Sequence, residues 1–224
     1  MSAVTHPRLP PRRSTAGGTW WSKAWARAVE EAAYAQEDLR AGRALARAGA
    51  VGAITVAPGS GVSAVSEGDD AHTVTCTLPV LPDADVEILA ELVAASSGRI
   101  GALLAGDLPH PFVEAVEEAG VELLPYGGEL GATCTCDAWM DPCRHALALL
   151  TQLGWLVQRD PFVLTALRGL PREELLARLR RGRDDEEVVD DLAVATEAAL
   201  RAARELADLG ATARSGSTPG VSGT

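Results

Sequence analysis

The sequence predicts an α+β fold in which a small antiparallel sheet lies between helical segments. Residues 53–78 alternate apolar and polar side chains between turn-forming sequences. The segments on either side repeat apolar residues with the period of an amphipathic helix. A group of three cysteines and one histidine within residues 134–145 predicts a metal site that joins a β-hairpin to a helix.

The segment ahead of the sheet predicts a disordered lead and one long helix. Residues 1–18 are rich in arginine and proline and contain no apolar run, so we expect disorder and no export signal there. Thr19 is placed to cap a helix that begins at Trp20 and ends near residues 38–42.

Three tryptophans stand at the start of this helix: Trp20, Trp21 and Trp25. Trp21 and Trp25 are one turn apart and share a face. These side chains suit a hydrophobic core better than a platform on which nucleic-acid bases stack, although aromatic rings serve both purposes in proteins.

The sheet is predicted as a three-stranded meander. Its strands are residues 53–56, 62–65 and 74–78. The two segments between them hold the glycine, proline and aspartate typical of turns. His72 and Cys76 share one face of the third strand. From its place in this alternating segment we expect Cys76 to be a small buried strand residue rather than a functional thiol. His72 and Cys76 without further ligands nearby make a weak case for a metal site.

Helices are predicted on both sides of the metal site. Before it, apolar periods indicate helices over 86–93, 100–105 and 112–119 and a short strand over 121–124. Directly after it, one helix continues through Leu156. Proline at the first helical position loses no hydrogen bond, so Pro161 and Pro171 predict two further helix starts. The remaining predicted segments are helices over 161–168, 171–181 and 184–209 and a disordered tail over 210–224.

The proposed metal ligands are Cys134, Cys136, Cys143 and His145. Side chains two apart on a strand point to the same face, so the first two sulfurs can meet one ion from a hairpin. Asp141 and Pro142 favour a helix start, which places Cys143 at the non-helical entrance, where the helix dipole favours a thiolate. The imidazole two residues later would curl back towards it.

Three sulfurs and one imidazole complete a tetrahedral site for one structural Zn²⁺. Because all four positions are filled by protein, no site remains for a reactive water, and we expect the metal to stabilise the fold rather than catalyse a reaction. Arg144 is placed to offset the excess negative charge of three thiolates. The alternative is that the four residues bind no metal and are three incidental buried cysteines and a core histidine. Such a cluster would be prone to oxidation.

Charge is distributed unevenly along the chain. The net charge is −11, and residues 51–142 carry one base, Arg99, against fifteen acids. Nonspecific binding of phosphates depends on lysine and arginine, so any contact with nucleic acid must be local. The candidate phosphate contacts are Arg144, Lys23, Arg27, Arg180 and Arg181. For the last two, solvated charges that complement a helix end fit equally well.

The sequence contains no motif that indicates an enzyme. It lacks a phosphate-binding glycine loop followed by Lys-Ser/Thr and a Gly-x-Ser-x-Gly turn, so we predict no catalytic residues, no organic cofactor and no small-molecule substrate. No apolar run approaches the length of a membrane span. Four cysteines are too few for a disulfide framework, and we expect a cytoplasmic protein with no membrane partner.

The pattern Cys-x-Cys, six residues, Cys-x-His resembles the SWIM zinc finger. Trp139 in the spacer and Pro142 before the third cysteine are similar to bacterial members of that group. Further stretches that look like the actinobacterial SWIM-containing proteins are residues 20–25, 42–43, 103–109, 160–164 and 167–169. The resemblance implies an element that binds DNA or protein, in proteins associated with helicase-like, DNA-dependent ATPases.

The predicted organisation follows from these features. It comprises a disordered lead (1–18), an N-terminal α+β region (19–125), a SWIM-type zinc finger (126–158), C-terminal helices (159–209) and a disordered tail (210–224). The predicted function is a non-enzymatic zinc-binding module for nucleic-acid or protein interaction, accessory to a helicase-like ATPase.

The alternative is a purely protein-binding adaptor that docks through the finger and the acidic middle segment. Trp139 and Met140 are residues of the kind that anchor interfaces, and packing against the adjacent helix accounts for them equally well.

Overall fold

The computed structural model describes residues 3–12 and 17–182, together with 197, 200 and 201. The α+β prediction is confirmed. The strands are β1 (Val4–His6), β2 (Ile54–Ala57), β3 (Ser60–Glu67), β4 (Asp70–Thr77) and β5 (Gly131–Cys134). The helices are α1 (Trp20–Ala32), α2 (Gln36–Ala48), α3 (Asp83–Ala94), α4 (Ser97–Leu104), α5 (His110–Glu118), α6 (Arg144–Arg159) and α7 (Phe162–Leu167), with a 3₁₀ turn at Gly127–Glu129.

Residues 172–182 are also helical, close to the predicted 171–181. The chain divides into two compact units, Met1–Ala177 and Arg178–Thr224. Most of the helix predicted over 184–209, and all of the tail predicted over 210–224, lie outside the described residues. No helix in the described part of the chain combines the length and apolar character that crossing a bilayer requires.

Within the described residues, the sheet has five antiparallel strands in the order β1-β2-β3-β4-β5. The predicted meander forms its centre, and β3 pairs with β4 from Ser60 opposite Thr77 to Glu67 opposite Asp70. Gly68, with φ of 62°, makes the tight turn between these two strands. The register leaves Glu67 at the end of β3, next to the metal site.

The prediction of a disordered lead over residues 1–18 is wrong for its first half. Residues 4–6 form β1 and pair with β2 at one edge of the sheet. Arg8 then donates to the carbonyl of Gly49, and the Arg12 amide donates to the carbonyl of Arg47 at 2.8 Å. A strand of three residues is too short to show an alternating pattern, so only its partner reveals it.

The single helix predicted from residue 20 to about residue 40 is instead two helices. Thr19 caps α1 as predicted, because its hydroxyl accepts the Ser22 amide, but α1 ends at Ala32. A second helix, α2, begins at Gln36 and ends before Gly49, whose φ of 73° is typical of a glycine that terminates a helix. Both helices repeat apolar residues with the helical period, which is why the sequence predicted a single helix.

Trp21 and Trp25 of α1 are core residues, and Trp20 is half-buried. The indole nitrogens of Trp21 and Trp25 donate to backbone carbonyls of α6, those of Val157 and Leu150. Trp20 donates to the carbonyl of Leu108. The rings of Trp21 and Trp25 are buried, so neither of them forms a base-stacking platform.

The strand predicted over 121–124 is absent. Val121 and Leu123 are buried, as the alternation suggested, but their segment pairs with no described strand. The side chain of Arg168 takes the place of a strand partner: it donates to the carbonyls of Leu123 and Leu124 and forms a two-pronged ion pair with Glu129. Alternation alone cannot distinguish strand pairing from this arrangement.

Close packing between α2 and α6 sets the position of the metal site. A Cβ added at Gly42 would lie 2.7 Å from the carbonyl oxygen of Arg144 and 2.7 Å from the Cβ of Leu147. Both distances are far below van der Waals contact. The absence of a side chain at Gly42 therefore lets the first turn of α6 approach α2.

We predict that Gly42→Ala destabilises the protein by about 1–3 kcal/mol, because overpacking must push the two helices apart. Gly101→Ala is the matched control: it lies inside α4, and an added Cβ would meet no described atom within 4 Å. This control should gain up to about 1 kcal/mol from helix propensity. Urea unfolding followed by circular dichroism measures both, and equal effects would contradict the packing argument.

Candidate metal centre

The four predicted ligands converge on one point. Their donor atoms, three Sγ and one imidazole nitrogen, all lie within 4.8 Å of one another. The sulfurs of Cys136 and Cys143 are 3.6 Å apart, and Nδ1 of His145 lies 3.8 Å from Sγ of Cys134 and 3.9 Å from Sγ of Cys143. Tetrahedral zinc with sulfur and nitrogen ligands separates its donors by about 3.5–3.8 Å. The cluster therefore fits one structural Zn²⁺.

The first two ligands come from the edge of the sheet. Strand β5 ends at Cys134, which pairs with Val74 of β4. The Thr135 amide donates to the Thr73 carbonyl at 3.1 Å and continues the pairing towards Cys136. The predicted hairpin within the finger does not form. The strand partner lies about sixty residues earlier in the chain, so the finger completes the main sheet instead of forming its own.

The other two ligands come from the start of α6. Cys143 is the N-cap residue with an extended backbone, φ −73° and ψ 173°, as the spacing predicted. His145 lies in the first helical turn and is buried, at 4% exposure. An N-cap thiol faces the free amides of the helix, which favour a negative charge.

The thiols are held in surroundings that suit a cation. Burial raises the pKa of Cys134 to about 12, and burial likewise raises the pKa of Cys143. Three thiols in so small a volume would not all ionise near neutral pH unless a positive ion joined them. A bound divalent metal favours their deprotonation, so metal binding is coupled to proton release.

Glu67 forms a second layer behind the ligands. Its Oε2 lies 2.8 Å from Nε2 of His145, so a proton on Nε2 donates to the carboxylate and leaves Nδ1 free to face the sulfurs. Partial burial acts to raise the pKa of Glu67, but the hydrogen bond and charge of His145, with Arg144, outweigh it and lower that pKa. The ring of His72 stacks beside that of His145, with centroids 4.4 Å apart.

Glu67 was not predicted from the sequence. It belongs to a Glu-Gly-Asp-Asp turn, which by itself indicates only a change of chain direction. It lies 78 positions before its partner histidine. Only the strand register brings the two side chains together.

Comparison with known proteins agrees with the geometry. Residues 116–154 match the SWIM zinc finger family, and this range contains all four ligands. The chain contains a SWIM zinc finger. The match overlaps the predicted segment 126–158, and SWIM zinc fingers are binding modules rather than catalytic domains.

A relative is also found in Mycobacterium tuberculosis (strain ATCC 25618 / H37Rv). The uncharacterized protein Rv2102 is 30% identical over 179 residues, which is 77% of this chain and 64% of that protein. The chain thus spans less than two thirds of the relative's length. No solved structure gives a significant match.

The remaining cysteine stands outside the SWIM cluster. Cys76 is buried, and its Sγ lies 3.8 Å from the carbonyl oxygen of Ala146 in α6. Burial raises the pKa of this thiol. Cys76 is thus a core residue that packs behind the finger, as its strand position predicted.

The predicted phosphate contacts occupy several settings. Arg144 lies 3.7 Å from Asp38 and 3.6 Å from Glu67, so two carboxylates already face its guanidinium group. Arg27 pairs with Glu31 at 3.2 Å on α1. Lys23, also on α1, lines a cleft. Arg180 and Arg181 are exposed and belong to the unit that begins at Arg178. A role in nucleic-acid binding stays a prediction for all five.

The loop between the second and third ligands projects Trp139 into solvent. This side chain is 91% exposed, whereas Met140 is half-buried. Of the two alternatives that the sequence left open for Trp139, packing against the adjacent helix is therefore excluded. Asp137 and Asp141 on either side of it are also exposed.

We predict that the purified, reduced protein holds one zinc per chain and that Cys136→Ser abolishes stoichiometric binding. Apparent binding energies of structural zinc sites reach about 10–16 kcal/mol, so loss of a ligand should also disorder the finger. Elemental analysis and near-ultraviolet circular dichroism measure the two effects. Cys76→Ala is the control and should keep its zinc. A folded, metal-free wild type would contradict the assignment.

We predict that Glu67→Gln weakens zinc affinity by about 10–100-fold while all four ligands remain, because the imidazole loses the carboxylate that orients it. Asp69→Asn removes the same charge two residues away and should leave affinity unchanged. Competition with a chromogenic chelator gives the dissociation constants. If both variants weaken binding equally, the effect is general electrostatics and not orientation of His145.

Proposed function

We propose that this chain is a non-enzymatic adaptor whose SWIM zinc finger docks on a partner protein through residues 137–142, here called the finger loop. The observation that carries the proposal is the 91% exposure of Trp139. A large aromatic ring held in water has no role in the chain's own core. Tryptophan is among the residues most enriched at the centres of protein interfaces.

The metal supports docking because it restrains the finger loop. The loop is bracketed by two zinc ligands, Cys136 and Cys143, whose sulfurs are 3.6 Å apart. Six residues between fixed ends have few conformations, so little entropy is lost when Trp139 enters a pocket. Pre-organisation of this kind converts more of the contact energy into affinity.

Charge favours a protein over nucleic acid as the partner of the finger. The finger loop contains two aspartates and no base. Arg144, the basic residue nearest to it in sequence, forms ion pairs with Asp38 and Glu67. A phosphate backbone would meet net negative charge here, whereas a protein surface with an apolar pocket and a basic rim is complementary.

The class of partner comes from the resemblance to bacterial SWIM-containing proteins. That resemblance favours a helicase-like, DNA-dependent ATPase, with this chain as its accessory subunit. The proposal places the chain in a DNA-processing or transcription-related assembly, where the ATPase supplies catalysis and this chain supplies attachment.

We predict that zinc-loaded wild-type protein captures DNA-dependent ATPase activity from a lysate of its source organism and that Trp139→Ala loses it. Truncation of an interface anchor costs about 2 kcal/mol or more, so the dissociation constant for the purified ATPase should rise at least about 30-fold. Biolayer interferometry gives these constants.

Tyr34→Ala is the control for this experiment, because Tyr34 is a 78% exposed aromatic residue in the α1–α2 connection. Its affinity should equal that of the wild type. The proposal fails if the ATPase binds all three proteins alike, or if chelation of the zinc leaves binding unchanged.

A further inference from the structure

A cleft lies away from the zinc ligands, where α1, α2 and α6 meet Arg12 and Gly18. Its volume is about 380 Å³. This is at the lower end of the range for small-ligand clefts, about 300–1,000 Å³. It has room for one ligand the size of a nucleotide and not for a duplex.

Four cationic side chains line the cleft: Arg12, Lys23, Arg43 and Arg47. No described aspartate or glutamate lines it. Glu30 pairs with Arg43 and neutralises that one charge. No described carboxylate lies within ion-pair distance of the other three. Three cations with no described counter-ion thus surround one small cavity, within the part of the chain (residues 1–50) where lysine and arginine outnumber aspartate and glutamate.

The backbone fixes the position of these cations. The amide of Arg12 donates to the carbonyl of Arg47 at 2.8 Å, which joins the segment before α1 to the end of α2. The guanidinium group of Arg12 lies over the ring of Trp155, 4.8 Å from its centroid. This cation–π contact orients the fork of Arg12 while leaving its donors available.

The walls of the cleft are partly aromatic. Trp155 and Ala26, both half-buried, contribute indole and aliphatic surface, whereas Trp25 and Val29 lie behind this surface and are almost fully buried. Inorganic phosphate would use the cations but not these walls. A ligand that joins a phosphate to a flat heterocycle would use both, since arginine forks match phosphate oxygens and indole rings favour stacking.

We propose that this cleft binds one nucleotide unit, with its phosphate held by Arg12, Lys23 and Arg47 and its base or sugar against the half-buried indole of Trp155. The unit is either a free nucleoside monophosphate or one nucleotide of a single strand. The site uses α1, α2 and α6 and does not involve the finger loop, so it stands independently of docking by Trp139.

The test is a titration of the full-length, zinc-loaded protein with three probes: thymidine 5′-monophosphate, a single-stranded thymidine decamer and inorganic phosphate. The ¹⁵N indole signals of the tryptophans report binding, and Trp155→Phe identifies the signal of Trp155. We expect this signal to shift with a dissociation constant below about 1 mM for the nucleotide or the decamer. Inorganic phosphate should bind at least tenfold more weakly.

A pair of matched double variants tests the position of the site. Lys23→Gln with Arg47→Gln removes one cleft cation from α1 and one from α2 and should weaken binding at least tenfold. Arg40→Gln with Arg159→Gln removes one exposed cation from α2 and one from α6, both outside the cleft. The control should change affinity less than twofold. Zinc content and melting temperature verify that both variants are folded.

The outcomes distinguish the possible ligands of the cleft. Equal affinity for the free nucleotide and for the decamer indicates that the ligand is a free nucleotide. Binding of the decamer alone indicates a single strand, and either result supports the site. Equal losses in the two double variants would indicate only diffuse charge and overturn it. Absence of binding below about 1 mM, or equal affinity for inorganic phosphate, would also overturn the nucleotide assignment.

Discussion

The union of β5 with the first turn of α6 is the constraint on which the rest of the structure depends. Two ligands end the edge strand and two begin the helix, so a single ion would fix the direction in which α6 leaves the sheet. Helix α6 then packs against α1, α2 and the central strands, and nearly all of its residues from His145 to Val157 are buried. The helix that carries half of the metal ligands is thus also the centre of the hydrophobic core.

This arrangement explains why the metal site has such extensive support. Glu67 at the end of β3 holds His145, and Gly42 on α2 allows the backbone of Arg144 to approach closely. Arg144 in turn meets one carboxylate from α2 and one from β3. The finger is therefore not an appendage with its own hairpin. It is integrated into the sheet and the helical layer, and disturbance of the ligands would reach both.

A second polar centre lies at Arg168, which is 1% exposed. It pairs with Glu129 and donates to the carbonyls of Pro79, Leu123 and Leu124. A buried arginine is tolerated only when its donors are satisfied, and these acceptors satisfy it. The irregular segment that leads to the finger is thereby held without a strand partner. The SWIM zinc finger is connected to the rest of the fold through the sheet and through this segment. Both connections depend on polar contacts between residues that are distant in sequence.

What the sequence determined by itself is local. The ligand identities, the helix start at Cys143, the cap at Thr19 and the strands of the meander follow from residues within a few positions of one another, because side-chain period and capping act over that range. The tertiary structure alone decided the role of Glu67, the pairing of β1, the exposure of Trp139 and the grouping of Arg12, Lys23 and Arg47 around one cleft. Each of these features depends on whether a segment distant in sequence contacts the residue. Periodicity carries no information about which distant segments meet.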